Sequence, residues 1–186
     1  MTIKKILIFS GSTRQGSMNT KLASAAYRAA LAAGADATLI DLKDYPADIY
    51  NGDDEANQGM PDTMRALKQL MAASDGIIVV TPEYNGHVPP LLVNTFSWLS
   101  RSEEGDNGLS AFRGKKAAIM AASPGRLGGI RVLPRLRDML AELGVMVVPG
   151  FVTLPQAGAA FDEHGTLHER KVQDSVSAKV EKLMQA

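Results

Sequence analysis

Short apolar runs alternate along the chain with longer segments that carry a helical repeat of apolar residues. Five runs are predicted as strands, at residues 3–9, 37–41, 76–81, 116–122 and 145–148. The first run is rich in isoleucine and leucine and has no alternation of apolar and polar positions. This pattern is typical of a strand that is buried on both faces of a parallel sheet.

Each run is followed by a segment that predicts a helix. The apolar spacing and the residues that start or stop a helix place these at about 18–33, from Pro61 through Met71, at about 91–99, at 133–143 and at 172–183. Between two of them, Lys43 to Gly59 is polar and is predicted as a surface loop. Its acidic residues 53–55 favour a solvated turn over a metal or partner site.

The order of elements is strand and helix, repeated five times. Such alternation predicts an α/β fold in which a five-stranded parallel sheet is covered by helices on both faces. The length of 186 residues suits one domain with a sizeable core, so we expect a single domain over residues 1–186.

Three loops of unusual composition directly follow predicted strands, at residues 10–20, 82–87 and 123–129. Parallel sheets bind their ligands at the carboxyl ends of the strands, near the point where the strand order reverses. Three such loops at strand ends therefore predict a binding site more strongly than any one of them.

The first loop has the character of a phosphate site. Its hydroxyl groups, its glycines and Arg14 precede a helix start, where backbone N–H groups and the helix dipole favour an anion. A dinucleotide fingerprint would need glycine at Thr13, and a P-loop would need lysine at Ser17. The remaining interpretation is a binding site for a terminal monophosphate, such as that of a mononucleotide. The alternative is a capped helix start that binds no ligand.

The second loop offers a carboxylate, an aromatic ring and an amide in Glu83, Tyr84 and Asn85. These groups suit a flat heterocycle with hydrogen-bonding edges, although an ordinary proline turn would use similar residues. The glycines of the third loop would allow a ligand to approach the backbone closely, or would form a plain turn before a helix.

Composition removes several other classes of function. The 20 basic and 20 acidic residues give a net charge of +0, which argues against a nucleic-acid or membrane-surface binder. There is no cysteine, so disulfides, thiol catalysis and cysteine-ligated zinc are excluded. Three histidines leave little room for a metal site, and we expect none. No signal peptide or spanning segment is visible, so a cytoplasmic location is expected.

Four motifs resemble those of the flavodoxin-like NADPH-dependent FMN reductases, a family that includes related quinone, chromate and azo-dye reductases. They are G-S-T-R-Q-G-S-M-N at 11–19, T-P-E-Y-N-G at 81–86, N-x-x-x-W-L-S-R at 94–101 and A-S-P-G-x-x-G-G-x-R at 122–131. The resemblance covers nearly the whole chain. It implies a three-layer flavodoxin-like sandwich with strand order 2-1-3-4-5.

The resemblance also implies FMN as cofactor and assigns positions to its parts. The residues that would hold the phosphate lie in the first loop and are Ser12, Arg14, Ser17, Met18, Asn19 and Thr20. Those that would line the isoalloxazine lie in the other two loops and are Pro82, Glu83, Tyr84, Asn85, Gly86, Ser123 and Gly125. No side chain need be an acid or a base, because the redox chemistry belongs to the flavin.

The implied activity is that of an FMN-containing oxidoreductase. It would take hydride from NADPH or NADH and reduce a small acceptor, namely free flavin, a quinone, an azo compound or a metal oxyanion, by a ping-pong mechanism. The alternatives are a flavodoxin-like electron carrier and a non-enzymatic flavin-binding module. The family further implies a homodimer or homotetramer. The sequence leaves the acceptor, the preferred nucleotide and the roles of His87 and Arg126 open.

Overall fold

A computed structural model describes residues 3–103 and 105–186 of the chain. The strands are β1 Lys5–Ser10, β2 Asp36–Ile40, β3 Gly76–Thr81, β4 Lys116–Ala122, β5 Met146–Val147 and β6 Val152–Leu154. The α-helices are α1 Met18–Ala32, α2 Gly52–Gln58, α3 Asp62–Ala72, α4 Pro90–Leu99, α5 Val132–Glu142 and α6 Arg170–Gln185. Short 3₁₀ turns occupy Leu42–Asp44 and Ala157–Ala159.

All strands lie parallel in one sheet of order β2-β1-β3-β4-β5, with β6 also paired to β4. In register, Leu7 of β1 pairs with Thr38 on one side and with Ile77 on the other. The predicted strand order is therefore confirmed. The order reverses between β1 and β3, so the loops after these two strands border a crevice at the carboxyl edge.

Alternate residues of the central strands point into two separate apolar layers. Leu7, Phe9 and Ile77 pack on one face together with residues of α3, α4 and α5. Ile6 and Ile8 pack on the opposite face against α1 and α6, where the alanines of α1 let that helix lie close to the sheet. This arrangement confirms the three-layer flavodoxin-like sandwich.

Beyond β4 the sheet continues in two short parts. The first, β5, covers only Met146–Val147 of the predicted strand 145–148 and pairs with Lys116 and Ala117. The second, β6, lies after the predicted strand and pairs with Met120 to Ala122 further along β4. Pro149 stands between the two parts, and proline has no N–H to donate to a sheet. The prediction did not include β6.

A buried lysine supplies the hydrogen bonds that the interrupted strand lacks. Lys179 of α6 donates from Nζ to the carbonyl oxygens of Val148 at 2.6 Å, Pro149 at 3.2 Å and Gly150 at 2.5 Å. Its residue exposure is 5%. Burial, with a smaller effect of nearby Lys182, lowers the pKa of Lys179 to about 8.

The prediction of a loop over Lys43 to Gly59 is wrong in part, because this segment contains a 3₁₀ turn and helix α2. Asn51 caps α2 by accepting a hydrogen bond from the N–H of Asp53 at 3.0 Å. The acidic residues 53–55 form its first turn, where carboxylates complement the helix dipole. No residue of α2 is buried, so the sequence shows no apolar repeat there.

The segment before α2 is fixed by side chains of α4. Asn94 accepts from the N–H of Tyr50 at 2.8 Å and donates to the carbonyl of Asp48 at 3.0 Å, and Trp98 donates to the same carbonyl at 2.8 Å. The guanidinium of Arg101 lies over the Tyr50 ring at 4.9 Å from its centre. The motif at 94–101 therefore anchors a neighbouring loop. Within the described residues, no helix has the length and apolar character needed to cross a membrane.

Lys179 gives the folded protein a distinct dependence on pH. Between about pH 8 and about pH 10.5 the unfolded chain binds a proton at Lys179 that the folded chain does not, so the free energy of unfolding falls as the pH is lowered through this window. Urea unfolding of the wild type and of Lys179→Met across this range measures the effect. The difference between the two proteins should change across the window and level off below it; parallel pH profiles would contradict the assignment.

Candidate functional site

The three loops meet around one cavity of about 280 Å³ at the carboxyl edge of the sheet. The first loop and the start of α1 form one side, the second loop forms another, and the third loop closes it. The residues that line the cavity are Ser12, Arg14, Ser17, Met18, Asn19, Pro82, Glu83, Tyr84, Ala122, Ser123 and Pro124. Most of the predicted site residues are thus brought together, whereas Thr20, Asn85, Gly86 and Gly125 do not line this cavity.

The first loop is held by its own hydroxyl groups acting as acceptors. Ser10 Oγ accepts from the backbone N–H of Ser12 at 3.2 Å, and Ser12 Oγ accepts from the backbone N–H of Arg14 at 3.4 Å. Ser17 is the N-cap of α1 and accepts from the N–H of Thr20 at 3.4 Å. Because each oxygen is used as an acceptor, the hydroxyl hydrogens of Ser12 and Ser17 are left to donate into the cavity.

Backbone donors add to these hydroxyl groups. Of the first N–H groups of α1, that of Ser17 bonds Arg14 O at 3.0 Å and that of Thr20 bonds the cap. In the part of the chain that the structure describes, the N–H groups of Met18 and Asn19 have no partner. They stand at the positive end of the helix dipole, which suits an anion.

Two predicted phosphate donors have other tasks. The Asn19 side chain accepts from the N–H of Ala122 at 2.8 Å and donates to its carbonyl at 3.0 Å, so it joins the first loop to the end of β4. The Thr20 hydroxyl donates to Ser12 O at 3.2 Å. Both the hydroxyl and the N–H of Thr20 are thus bonded within the protein, and its contact with a phosphate stays a prediction.

The second loop is a tight hairpin at its tip. Tyr84 and His87 exchange backbone hydrogen bonds of 3.2 and 2.9 Å, and Asn85 and Gly86 between them have φ angles of 53° and 71°. Asn-Gly with two positive φ angles is the signature of a type I′ turn. The Tyr84 side chain lines the cavity and is half exposed, and His87 is exposed beside it.

Glu83 lines the cavity, but its carboxylate oxygens are occupied. Oε2 accepts from the N–H of Arg131 at 3.0 Å, and Oε1 accepts from Arg131 Nε at 2.7 Å and also contacts Nη2. Arg131 had no predicted role, although it is the final residue of the fourth motif. The signal that could have found it is an arginine two residues after Gly129, just before the next predicted helix.

The third loop uses its glycines for packing against the protein. A Cβ on Gly128, where φ is +59°, would lie 2.7 Å from Pro155 N, and one on Gly129 would lie 2.7 Å from Ala121 Cβ. These two glycines therefore allow close packing against the ends of strands β6 and β4. Whether the third loop also lets a ligand approach its backbone stays a prediction. Ser123 Oγ accepts from the N–H of Gly125 at 3.1 Å, which occupies the only donor of Gly125.

The remaining ionisable residues form no further constellation near the cavity. Arg126 is exposed on the third loop. His164 and His168 are also exposed, at the turn before α6. Over residues 3–103 and 105–186, no group of three histidine, cysteine, aspartate or glutamate side chains is placed to hold a metal ion.

The donors of the cavity fit a phosphate ester joined to a flat ring. Arg14, the hydroxyl-bearing Ser12 and Ser17, and Met18 and Asn19, whose N–H groups have no partner among the described residues, all line this cavity. Such a donor set suits a phosphate. Pro82 and the Tyr84 ring face the other side. The residues present are therefore compatible with FMN.

Comparison with known proteins gives the same picture. Residues 4–159 match the family described as NADPH-dependent FMN reductase. The chain is 34% identical over 172 residues to a quinone reductase of Escherichia coli K12, covering 88% of this chain and 87% of that one. It is 34% identical over 183 residues to an NAD(P)H-dependent FMN reductase of Pseudomonas aeruginosa, covering 96% and 92%.

Solved structures agree in fold. FerB of Paracoccus denitrificans, a flavoenzyme NAD(P)H:(acceptor) oxidoreductase, superposes with a TM-score of 0.81 at 27% identity, and 98% of each chain is covered. A flavodoxin of Pseudomonas aeruginosa has a TM-score of 0.61 at 18% identity, with coverage of 97% of this chain and 99% of that one, and so shares the fold. The sequence match, spanning more than four fifths of the chain, confirms the family that the motifs suggested: the chain belongs to the NADPH-dependent FMN reductases.

Proposed function

We propose that this chain binds FMN in the cavity between its three loops and uses it to pass electrons from NAD(P)H to a small acceptor. Membership in the family makes it an oxidoreductase with FMN and NAD(P)H as cofactors. The observation that carries the site is the convergence of phosphate donors and an aromatic, turn-lined wall on one cavity. The acceptor classes are a quinone, free flavin, an azo compound or a metal oxyanion.

The phosphate of FMN would be held by the first loop. The Arg14 side chain is exposed at the cavity and makes no ion pair within the described residues, so its charge is available. The hydroxyls of Ser12 and Ser17 and the N–H groups of Met18 and Asn19 complete the donor set. Hydrogen bonds to an ionised phosphate are about twice as strong as neutral ones.

The ring of FMN would lie against the second loop. Pro82 and Tyr84 offer apolar surface. At the tip of the hairpin, the N–H groups of Asn85 and Gly86 have no partner among the described residues. Donors fixed in this way stabilise negative charge that develops on a bound group without further reorganisation. Ser123 and Pro124 bound the cavity on the opposite side.

When bound, FMN supplies the two-electron chemistry, and the chain supplies position and electrostatics. The cavity wall contains no histidine and no lysine, and Glu83 is already paired with Arg131. The residues of the wall therefore bind and orient rather than transfer protons. Tyr84, which lines the cavity, has an exposed ring that offers apolar contact to a flat substrate.

We infer a ping-pong order, because the nucleotide and the acceptor would use in turn the one cavity that the three loops line. We further propose that the chain folds as a single domain and forms a homodimer or homotetramer. Its proposed location is the cytoplasm, where NAD(P)H is regenerated. The exposed apolar side chains of Tyr84, Leu127 and Ile130 support an association of copies.

The first test is spectroscopic. Purified protein loaded with FMN should be yellow, and NADPH should bleach its visible absorbance within the time of turnover. Steady-state rates with NADPH and NADH, against quinones, free flavin, azo dyes and ferricyanide, should give the parallel double-reciprocal lines of a ping-pong mechanism. A protein that takes up no FMN would overturn the proposal. Negligible hydride transfer at millimolar NADPH would instead favour an electron carrier.

The second test concerns the phosphate seat. Replacing Arg14 and Ser17 together by alanine removes one charge and one hydroxyl donor, so FMN should bind more weakly by about 2–4 kcal/mol. Fluorescence titration of FMN measures the affinity. Arg137→Ala is the matched control, because Arg137 lies exposed on α5 beside Asp138, away from the cavity. Equal affinities in the double variant and the wild type would show that the first loop does not hold the phosphate.

A further inference from the structure

A buried carboxylate of the second loop depends on an arginine of another element. Glu83 follows the end of β3, and Arg131 is the N-cap residue of α5. The Glu83 side chain is 7% exposed, whereas that of Arg131 is 61% exposed. A carboxylate at this depth is unfavourable unless it is paired and hydrogen-bonded. The pairing with Arg131 therefore offsets the cost of burying the ionised carboxylate of Glu83 beside the cavity.

The contact is more than an ion pair, because it also caps a helix. Arg131 donates its backbone N–H to one oxygen of Glu83 and its guanidinium to the other. The N-cap position of α5 has no side-chain cap of its own. The carboxylate of Glu83 thus supplies both a hydrogen-bond acceptor and a negative charge at the positive end of this helix.

The same arginine lies along the hairpin of the second loop. Glu83 is the residue before the hairpin, and a Cβ on Gly86 at the hairpin tip would lie 4.0 Å from Arg131 Nε. The guanidinium therefore contacts the base of the hairpin and stands beside its tip. The turn that carries Asn85 and Gly86 thus has Arg131 bonded to Glu83 just before it and close to Gly86 at its tip.

From this geometry we infer that Arg131 is a positioning residue, which balances the charge of Glu83 at the cavity wall and thereby sets the reduction potential of bound FMN. The inference rests on the proposed FMN site. Together the two side chains add little net charge to the cavity. Glu83 alone adds a full charge in a poorly solvated place, where its field on a bound group is large. Arg131 alone adds a charge of the opposite sign that is more exposed, so solvent weakens its field.

The reduction potential of bound FMN provides the test, since a merely structural role would not shift it with a defined sign. Arg131→Gln leaves an uncompensated carboxylate, which opposes added electrons and should lower the potential. Glu83→Gln leaves an unpaired guanidinium and should raise it. Arg131→Gln should alter the ratio of affinities for reduced and oxidised FMN by about tenfold, or about 30 mV for a two-electron couple. Glu83→Gln should have a smaller effect of opposite sign, because the guanidinium that it leaves unpaired is more exposed. The double variant should return close to the wild type.

Two controls separate charge from shape. Arg131→Lys keeps the charge but loses the forked contact, so its potential should stay nearer to the wild type than that of Arg131→Gln. Arg137→Gln removes an exposed arginine from the same helix and should leave the potential unchanged. If both single variants shift the potential in the same direction, or neither shifts it while FMN is bound, the inference is wrong. If Arg131→Gln does not fold, Glu83→Gln provides the test by itself. A raised potential supports the inference, and an unchanged potential contradicts it.

Failure of the inference and failure of the proposed function give different results. A wild-type protein that binds no FMN would overturn both. Normal FMN binding with unmoved potentials would overturn the positioning role alone. Urea unfolding of the FMN-free wild type, the two single variants and the double variant measures the coupling between the two side chains. Because the side chains contact each other, the effects of the two single substitutions on the free energy of unfolding should not be additive.

Discussion

The pairing of β1 with β3 is the constraint on which the rest of the structure depends. Strand β3 is buried throughout and β1 is buried from Ile6 to Ser10. The pairing is extended by the bond from the N–H of Gly11 to Val80 O at 2.8 Å. A Cβ on Gly11 would lie 2.6 Å from the Leu92 side chain, so α4 closes directly over the end of β1. The first two loops must therefore part at this point, and the cavity occupies the space between them.

Long buried strands were the part of the fold that could be predicted most closely. The bounds of β3 and β4 agree with the prediction, because an apolar run between polar residues marks both ends of a fully buried strand. Strand β6 has only three residues, which is too short to show a pattern. Helix α2 buries nothing, so no apolar repeat could reveal it.

The location of the candidate site could be predicted from the sequence, whereas many of its side-chain contacts could not. Glycine, serine and proline after apolar strands marked the three loops that the structure brings together. Their role as FMN ligands stays a prediction. The contacts of Asn19 with Ala122 and of Arg131 with Glu83 join residues 103 and 48 positions apart. Such contacts leave no local signature, since only the completed sheet brings the partners into reach.

Helix α2 has a consequence for the local stability of the protein. It is attached mainly through the segment before it, by Asn94 and Trp98, and through a hydrogen bond of 2.7 Å from the Tyr50 hydroxyl to Glu55. With no buried side chain of its own, it can open while both apolar layers remain packed. Its amide hydrogens would then exchange with solvent through a local opening, orders of magnitude faster than those of β1 and β3. A protease would find its first cleavage site there and leave the sheet intact.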